Sequence, residues 1–142
     1  MLNDFSAESK VLFVGEGNFS FSASVVENII LKLSQSKQAI PVQKVEAEEC
    51  KVADQFTVSC YEDEKFGSEV KQKNLESLRS NGCKIIFELD ATELHKDSRT
   101  LAAKYTDVIF MFPHVGGKMR IEKNRALLFA FLSSCRCFIH QT

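Results

Sequence analysis

The chain carries no excess of charge of either sign. Its 142 residues hold 18 Lys and Arg against 19 Asp and Glu, a net charge of −1. No global basic field announces a nucleic-acid partner, so any RNA contact has to come from a local patch. Long hydrophobic runs are also missing: nothing approaches the roughly 20 apolar residues of a membrane-spanning helix, which excludes a membrane partner of that kind. The first residues, with Asn3, Asp4 and Glu8, do not form a secretory signal. Five scattered cysteines, Cys50, Cys60, Cys83, Cys135 and Cys137, are odd in number and read as reduced thiols, which points to an intracellular protein. There is no internal repeat and no low-complexity segment. What the chain does have is 44% hydrophobic residues in a length that suits one domain with a sizeable core.

Strand and helix patterns alternate along it. Val11–Val14 reads as a strand, and residues 22–33 follow with Val25, Val26, Ile29, Ile30 and Leu33 at helical spacing. Residues 34–55 turn polar around Pro41 and read as a solvated loop, with a short helix about residues 45–50. Residues 56–60 are a second strand by their β-branched and aromatic content. Residues 70–79 are a helix with Leu75 and Leu78 inward, stopped by Asn81 and Gly82. Residues 83–89 make a third strand. Residues 107–112 are a nearly continuous apolar run, the pattern of a central parallel strand buried on both faces. Residues 121–133 return to helical periodicity through Leu127, Leu128, Phe131 and Leu132. Such alternation specifies an open α/β sheet of about four parallel strands with flanking helices.

The most informative stretch is the passage from the first strand into the first helix, Val14-Gly15-Glu16-Gly17-Asn18-Phe19-Ser20-Phe21-Ser22. A Gly-x-Gly turn there brings backbone N–H groups close to a ligand at a helix N-terminus. The third glycine of the dinucleotide fingerprint is missing, so the motif alone fits an ordinary strand-to-helix turn equally well. In an open α/β sheet ligands lie beyond the carboxyl ends of the strands. Polar residues follow all four strands: Gly15, Glu16 and Gly17; Tyr61, Glu62 and Asp63; Asp90 and Thr92; Pro113, His114, Gly116 and Gly117. An acid after the second strand suits ribose hydroxyls and one after the third suits an adenine amino group. Singly, each also reads as a solvated turn or a helix cap. Together they favour a nucleotide-type cleft.

Four stretches carry a resemblance: the Gly-rich passage above, Asp90-Ala91-Thr92-Glu93-Leu94, Phe110-Met111-Phe112-Pro113-His114-Val115-Gly116 and Lys123-Asn124-Arg125-Ala126-Leu127-Leu128. In type and order they resemble the eukaryotic large-subunit ribosomal RNA uridine-N3-methyltransferase family, some animal members of which carry a separate ferredoxin-fold anticodon-binding domain. The resemblance implies a Rossmann-like S-adenosylmethionine-dependent methyltransferase fold, S-adenosylmethionine as cofactor, and ribosomal RNA in a pre-ribosome as partner, in the nucleolus or cytoplasm. Gly15, Glu16, Gly17 and Asn18 would form the cofactor loop, with Asp63 by the ribose and Asp90 by the adenine. Pro113 and His114 would line the target-base pocket.

Uridine N3 carries an imide proton that must leave before its lone pair can attack the sulfonium methyl, so holding the two in line supplies much of the rate. His114 is the candidate base, since an unperturbed imidazole titrates near neutrality. It also reads as a donor to a uracil carbonyl or a brace for the Gly116-Gly117 turn. Lys118, Arg120, Lys123 and Arg125 do little for a helix N-terminus, where cations are unfavourable, and are better placed on RNA phosphates.

After Ser134 the sequence leaves the family pattern, which continues into further strands. The expected organisation is a tail over residues 1–9, the methyltransferase-type domain over 10–134 and a divergent tail over 135–142, leaving a sheet that a partner chain would complete. Cys135, Cys137 and His140 alone make no metal site. The alternative to catalysis is a non-catalytic nucleotide- or RNA-binding remnant of the same fold. An NAD-dependent oxidoreductase is disfavoured by the missing glycine and the Phe-Pro-His strand end.

Overall fold

The computed structural model describes Phe5, residue 8 through residue 36, and residues 54–111 and 120–139. Four strands, β1 (Val11–Val14), β2 (Phe56–Ser59), β3 (Lys84–Ile86) and β4 (Asp107–Phe110), form one parallel sheet in the order β3-β2-β1-β4. Val11 is in register with Phe56 on one side and Asp107 on the other. Four helices connect and flank them: α1 (Ser20–Ser36), α2 (Glu69–Ser80), α3 (Ser98–Leu101) and α4 (Ile121–Ile139). The expected Rossmann-like α/β arrangement is the one observed.

β1 is buried on both faces, and its alternation divides the core. Val11 and Phe13 join Phe19, Val26, Val58, Leu75 and Leu78 beneath α1 and α2. Leu12 and Val14 point the other way, into a cluster with Leu94, Tyr105, Phe131 and Phe138 beneath α4. β2 carries two buried polar residues, and both are satisfied, as burial requires. Tyr105 Oη donates to Thr57 Oγ1 at 2.9 Å, and Ser59 Oγ donates to the Phe13 carbonyl at 2.7 Å. α2 starts where Ser68 accepts from the Lys71 amide and ends at Asn81, the stop that the sequence signals.

Three expectations are corrected. The fourth strand is not central: among the described residues it pairs only with β1, and its four residues are all half-buried. An apolar run specifies what a strand prefers to touch, not which neighbours the topology supplies. The last helix does not end at residue 133 but continues to Ile139. No Gly or Pro interrupts it, and Phe131, Cys135 and Phe138 recur at helical spacing and are buried. The Phe138 ring lies 5.8 Å from that of Tyr105. Cys135 and Cys137, two positions apart on a helix, project about 200° from each other; one is buried and the other exposed. The expected loop over residues 34–55 begins later, since residues 34–36 belong to α1; residues 37–53 of it, with the short helix, together with Phe112, Pro113, His114, Lys118 and His140, lie outside the described residues.

Candidate functional site

The site lies where the strand order turns, beyond the carboxyl ends of β1 and its neighbours. β1 delivers Gly15 at φ +71°. A Cβ built on Gly15 would overlap the ring of Phe110, the last residue of β4. Gly15 therefore lacks a side chain because a protein ring fills the space. Gly17 is different: among the described residues nothing stands within 4 Å of where its Cβ would be, and the residue is exposed. Of the two glycines, only Gly17 leaves open approach to a ligand.

Glu16 points inward between them. It is 94% buried, since only 6% of its surface is exposed, and its Oε2 accepts from the Ser22 amide at 3.2 Å and from Ser22 Oγ at 2.9 Å. The carboxyl thus caps the first turn of α1. Its second oxygen, Oε1, is buried with no hydrogen-bond partner among the described residues. Burial pushes the Glu16 carboxyl above its ordinary range, and the two Ser22 hydrogen bonds oppose that shift. Asn18 Oδ1 accepts from the Ser20 amide at 3.1 Å, while its carbonyl accepts from Asn74 Nδ2 of α2 at 2.8 Å. Phe19, fully buried, completes the turn at φ +59°, a conformation uncommon for an aromatic residue.

The second and third strand ends are joined to each other. The Glu88 amide donates to the Glu62 carbonyl at 3.2 Å and the Leu89 amide to the Cys60 carbonyl at 3.0 Å. Lys71 of α2, although fully buried, donates from Nζ to the carbonyls of Asp63 and Phe66. Its stem occupies the space left by Gly67, and its ammonium lies 5.9 Å from the Phe87 ring centroid. The exposed Asp63 side chain accepts from the Lys65 amide at 2.9 Å. Half-buried Asp90 uses Oδ1 on the Thr92 amide (2.8 Å) and hydroxyl (2.6 Å), and Oδ2 has no partner among the described residues. The cluster Gly15, Glu16, Gly17, Asn18, Asp63 and Asp90 is thus spread over the ends of three adjacent strands.

The expected RNA-facing cations are not brought together in the same way. Arg120, Lys123 and Arg125 are all exposed. Lys123 and Arg125, two positions apart on α4, project to nearly opposite sides of the helix. By helical angle Arg125 stands instead among Ile121, Leu128 and Leu132, which are 59%, 41% and 56% exposed. Sequence reasoning missed Lys71, Asn74 and Arg99, and it missed the role of Phe110 against Gly15; these residues hold the loops. Their partners are mainly backbone carbonyls or a glycine, and neither leaves a signal at a fixed spacing.

Among the described residues no helix is long and apolar enough to cross a membrane, and no group of three His, Cys, Asp or Glu side chains could hold a metal ion. No solved structure matches the chain. It is 32% identical over 131 residues to the human ferredoxin-fold anticodon-binding domain-containing protein 1, covering 91% of this chain and 18% of that protein. The mouse homologue is 36% identical over 129 residues, covering 89% and 17%. Heavy metal-associated isoprenylated plant protein 41 of Arabidopsis thaliana is 30% identical over 135 residues, covering 91% and 23%. The chain therefore spans less than a quarter of each of these relatives. A family described as rRNA (uridine-N3-)-methyltransferase BTM5-like matches from residue 12 to residue 142, and the chain belongs to that family.

Proposed function

We propose that the cleft over β1, β2 and β3 binds S-adenosylmethionine and serves transfer of its methyl group to N3 of a uridine in large-subunit ribosomal RNA. The observation that carries this reading is the β1–α1 turn, where, among the described residues, Gly17 leaves open space next in sequence to a buried carboxyl with one unpartnered oxygen. A ligand has room to approach the backbone at Gly17, and the Glu16 carboxyl held by Ser22 places negative potential close by for a cationic group such as the α-ammonium of that cofactor. Asp90 keeps Oδ2 for an adenine amino group. Glu62, half-buried, and Asp63 stand at the β2 end for the ribose.

When bound, the cofactor supplies an electrophilic methyl on a sulfonium. The chain's part would be to orient N3 toward that methyl and to accept the imide proton that must leave before N3 can attack. His114, with Pro113 beside it, follows β4 in sequence and is assigned the proton or a uracil carbonyl. Lys118, Arg120 and Lys123 are assigned the neighbouring phosphates, and Arg125 a phosphate on the far side of α4. This reading takes the protein to pre-ribosomal RNA, in the nucleolus or the cytoplasm.

Calorimetric titration with S-adenosylhomocysteine, with NAD as control, tests the cofactor. Saturable binding of the first alone is expected, and binding of neither overturns the reading. Incubation of the cofactor and pre-ribosomal RNA with a longer relative bearing the same motifs, followed by nucleoside mass spectrometry, should yield 3-methyluridine. Binding of RNA and cofactor without that product would favour the non-catalytic remnant.

A further inference from the structure

The turn that carries Asp90 is strained, and one side chain from another element holds it. Glu88, directly after β3, adopts φ +52° although it is not glycine. Such a backbone is strained and persists only where its surroundings over-determine it. On the amide side, the Glu62 and Cys60 carbonyls fix Glu88 and Leu89. On the carbonyl side, Arg99 of α3 reaches across. Its Nη1 donates to the Phe87 carbonyl at 2.7 Å and its Nη2 to the Glu88 carbonyl at 3.1 Å.

Arg99 is itself aimed. Asp97, the N-cap of α3, takes Nε on Oδ1 at 3.0 Å and Nη2 on Oδ2 at 2.7 Å, a two-pronged pairing that fixes the plane of the guanidinium. The Asp97 side chain also accepts from the Arg99 amide at 2.9 Å. Since the Arg99 side chain is 45% exposed, the ion pair adds little to stability. A lysine in its place would keep the charge and lose the fork that spans two consecutive carbonyls.

We propose that Arg99 is the positioning residue that gives this site its preference for adenine, because it fixes the Phe87–Glu88 turn that presents Asp90 to the 6-amino group. This rests on the S-adenosylmethionine reading of the cleft. Arg99 touches no ligand; it acts through the backbone two residues before Asp90.

The test compares affinities of the full chain for S-adenosylhomocysteine and S-inosylhomocysteine, whose ring carries a carbonyl oxygen in place of the 6-amino group. The wild-type chain should prefer the adenosyl ligand by roughly 10–100-fold, the scale of one charge-assisted hydrogen bond gained or left unpaired. Arg99→Gln should melt cooperatively near the wild-type temperature and bind the two ligands within about 3-fold of each other. Arg99→Lys should recover only part of the preference. A loss of stability alone would lower both affinities and leave their ratio unchanged. An unchanged ratio in a folded Arg99→Gln chain overturns the proposal. Should that variant fail to fold, Asp97→Asn keeps the cation but removes its anchor, and it too must lower the ratio. Equal wild-type affinity for both ligands overturns the proposal and leaves the cofactor reading standing, whereas binding of neither overturns both.

Discussion

Gly15 and Phe110 share one space: the ring that ends β4 lies where a side chain on Gly15 would be. The same ring stacks edge-on to Phe131 of α4 with centroids 4.8 Å apart, and Val14 is in register with Phe110. The first turn of the candidate cofactor loop is thus wedged against the edge strand and the last helix. Gly15→Ala must both adopt a left-handed backbone and displace the ring, at roughly 1–2 kcal/mol for the first and about 1–3 kcal/mol for the second. Thermal melts should show that loss. In Phe110→Leu the Gly15→Ala cost should shrink toward the backbone part; a cost unchanged by the second substitution would show that the two do not share the space.

Gly17 answers to a different constraint. Its Cβ position is open and its φ is not left-handed, so Gly17→Val should leave the melting temperature within a few degrees of wild type, as for a surface substitution costing about 0.5 kcal/mol. Binding of S-adenosylhomocysteine should nevertheless be lost, because the branched side chain fills the approach. Undiminished affinity in the folded variant removes Gly17 from the cofactor loop.

Glu16 should trade stability against binding. Its folded carboxyl is raised above 4.5 by burial, so the folded state takes up a proton at a higher pH than the unfolded state does. Stability therefore rises as pH falls through the raised value and levels off below 4.5, while above the raised value the buried charge is a cost. Glu16→Gln should be more stable than wild type at pH 7, because it removes the buried charge while an amide oxygen can still accept from Ser22. That gap should close toward pH 4.5. Ligand affinity should fall in the same variant. A variant less stable than wild type at neutral pH would show that capping α1 outweighs the buried charge.

His114 is best examined in a longer relative with the same Phe-Pro-His-x-Gly motif. If it takes the N3 proton, His114→Asn should lower the methylation rate by roughly 10²–10⁴-fold and abolish the limb of the pH–rate profile near neutrality. Near-normal turnover would confine the residue to hydrogen bonding or support of the following turn.

The outer face of α4 should promote association of the chain. Phe129 and Leu132 are 74% and 56% exposed, and β4 has no second neighbour among the described residues. An apolar helix face and an open strand edge are each a template for contact with other chains. Phe129→Lys should shift size-exclusion profiles toward monomer and reduce binding of a hydrophobic dye, with stability changed by no more than about 0.5 kcal/mol. A wild-type chain that is already monomeric and binds no dye would overturn this expectation.

The elements themselves were legible because their signals are local. Helix periodicity over Val25, Val26 and Ile29, the apolar run of Val11–Val14 and the Asn81-Gly82 stop each depend on neighbours a few residues away. Their boundaries moved where packing extended them: α4 runs on to Ile139 because Cys135 and Phe138 meet the β4 side of the sheet. The third helix, α3, only four residues long, is too short for periodicity to reveal.

By itself, then, the sequence determined the alternation of strands and helices, the Gly-rich turn and the acids at the strand ends, since backbone geometry and side-chain period are properties of short segments. Only the tertiary structure decided that, among the described residues, β4 pairs with β1 alone, that Gly15 yields to Phe110 while Gly17 stays open, and that Glu16 turns inward with one oxygen unanswered. The physical reason is that each depends on groups far apart in sequence being brought together. Lys71 and Arg99 show it most plainly: each ends on backbone carbonyls, which every residue possesses, so no residue type in the sequence marks the partner.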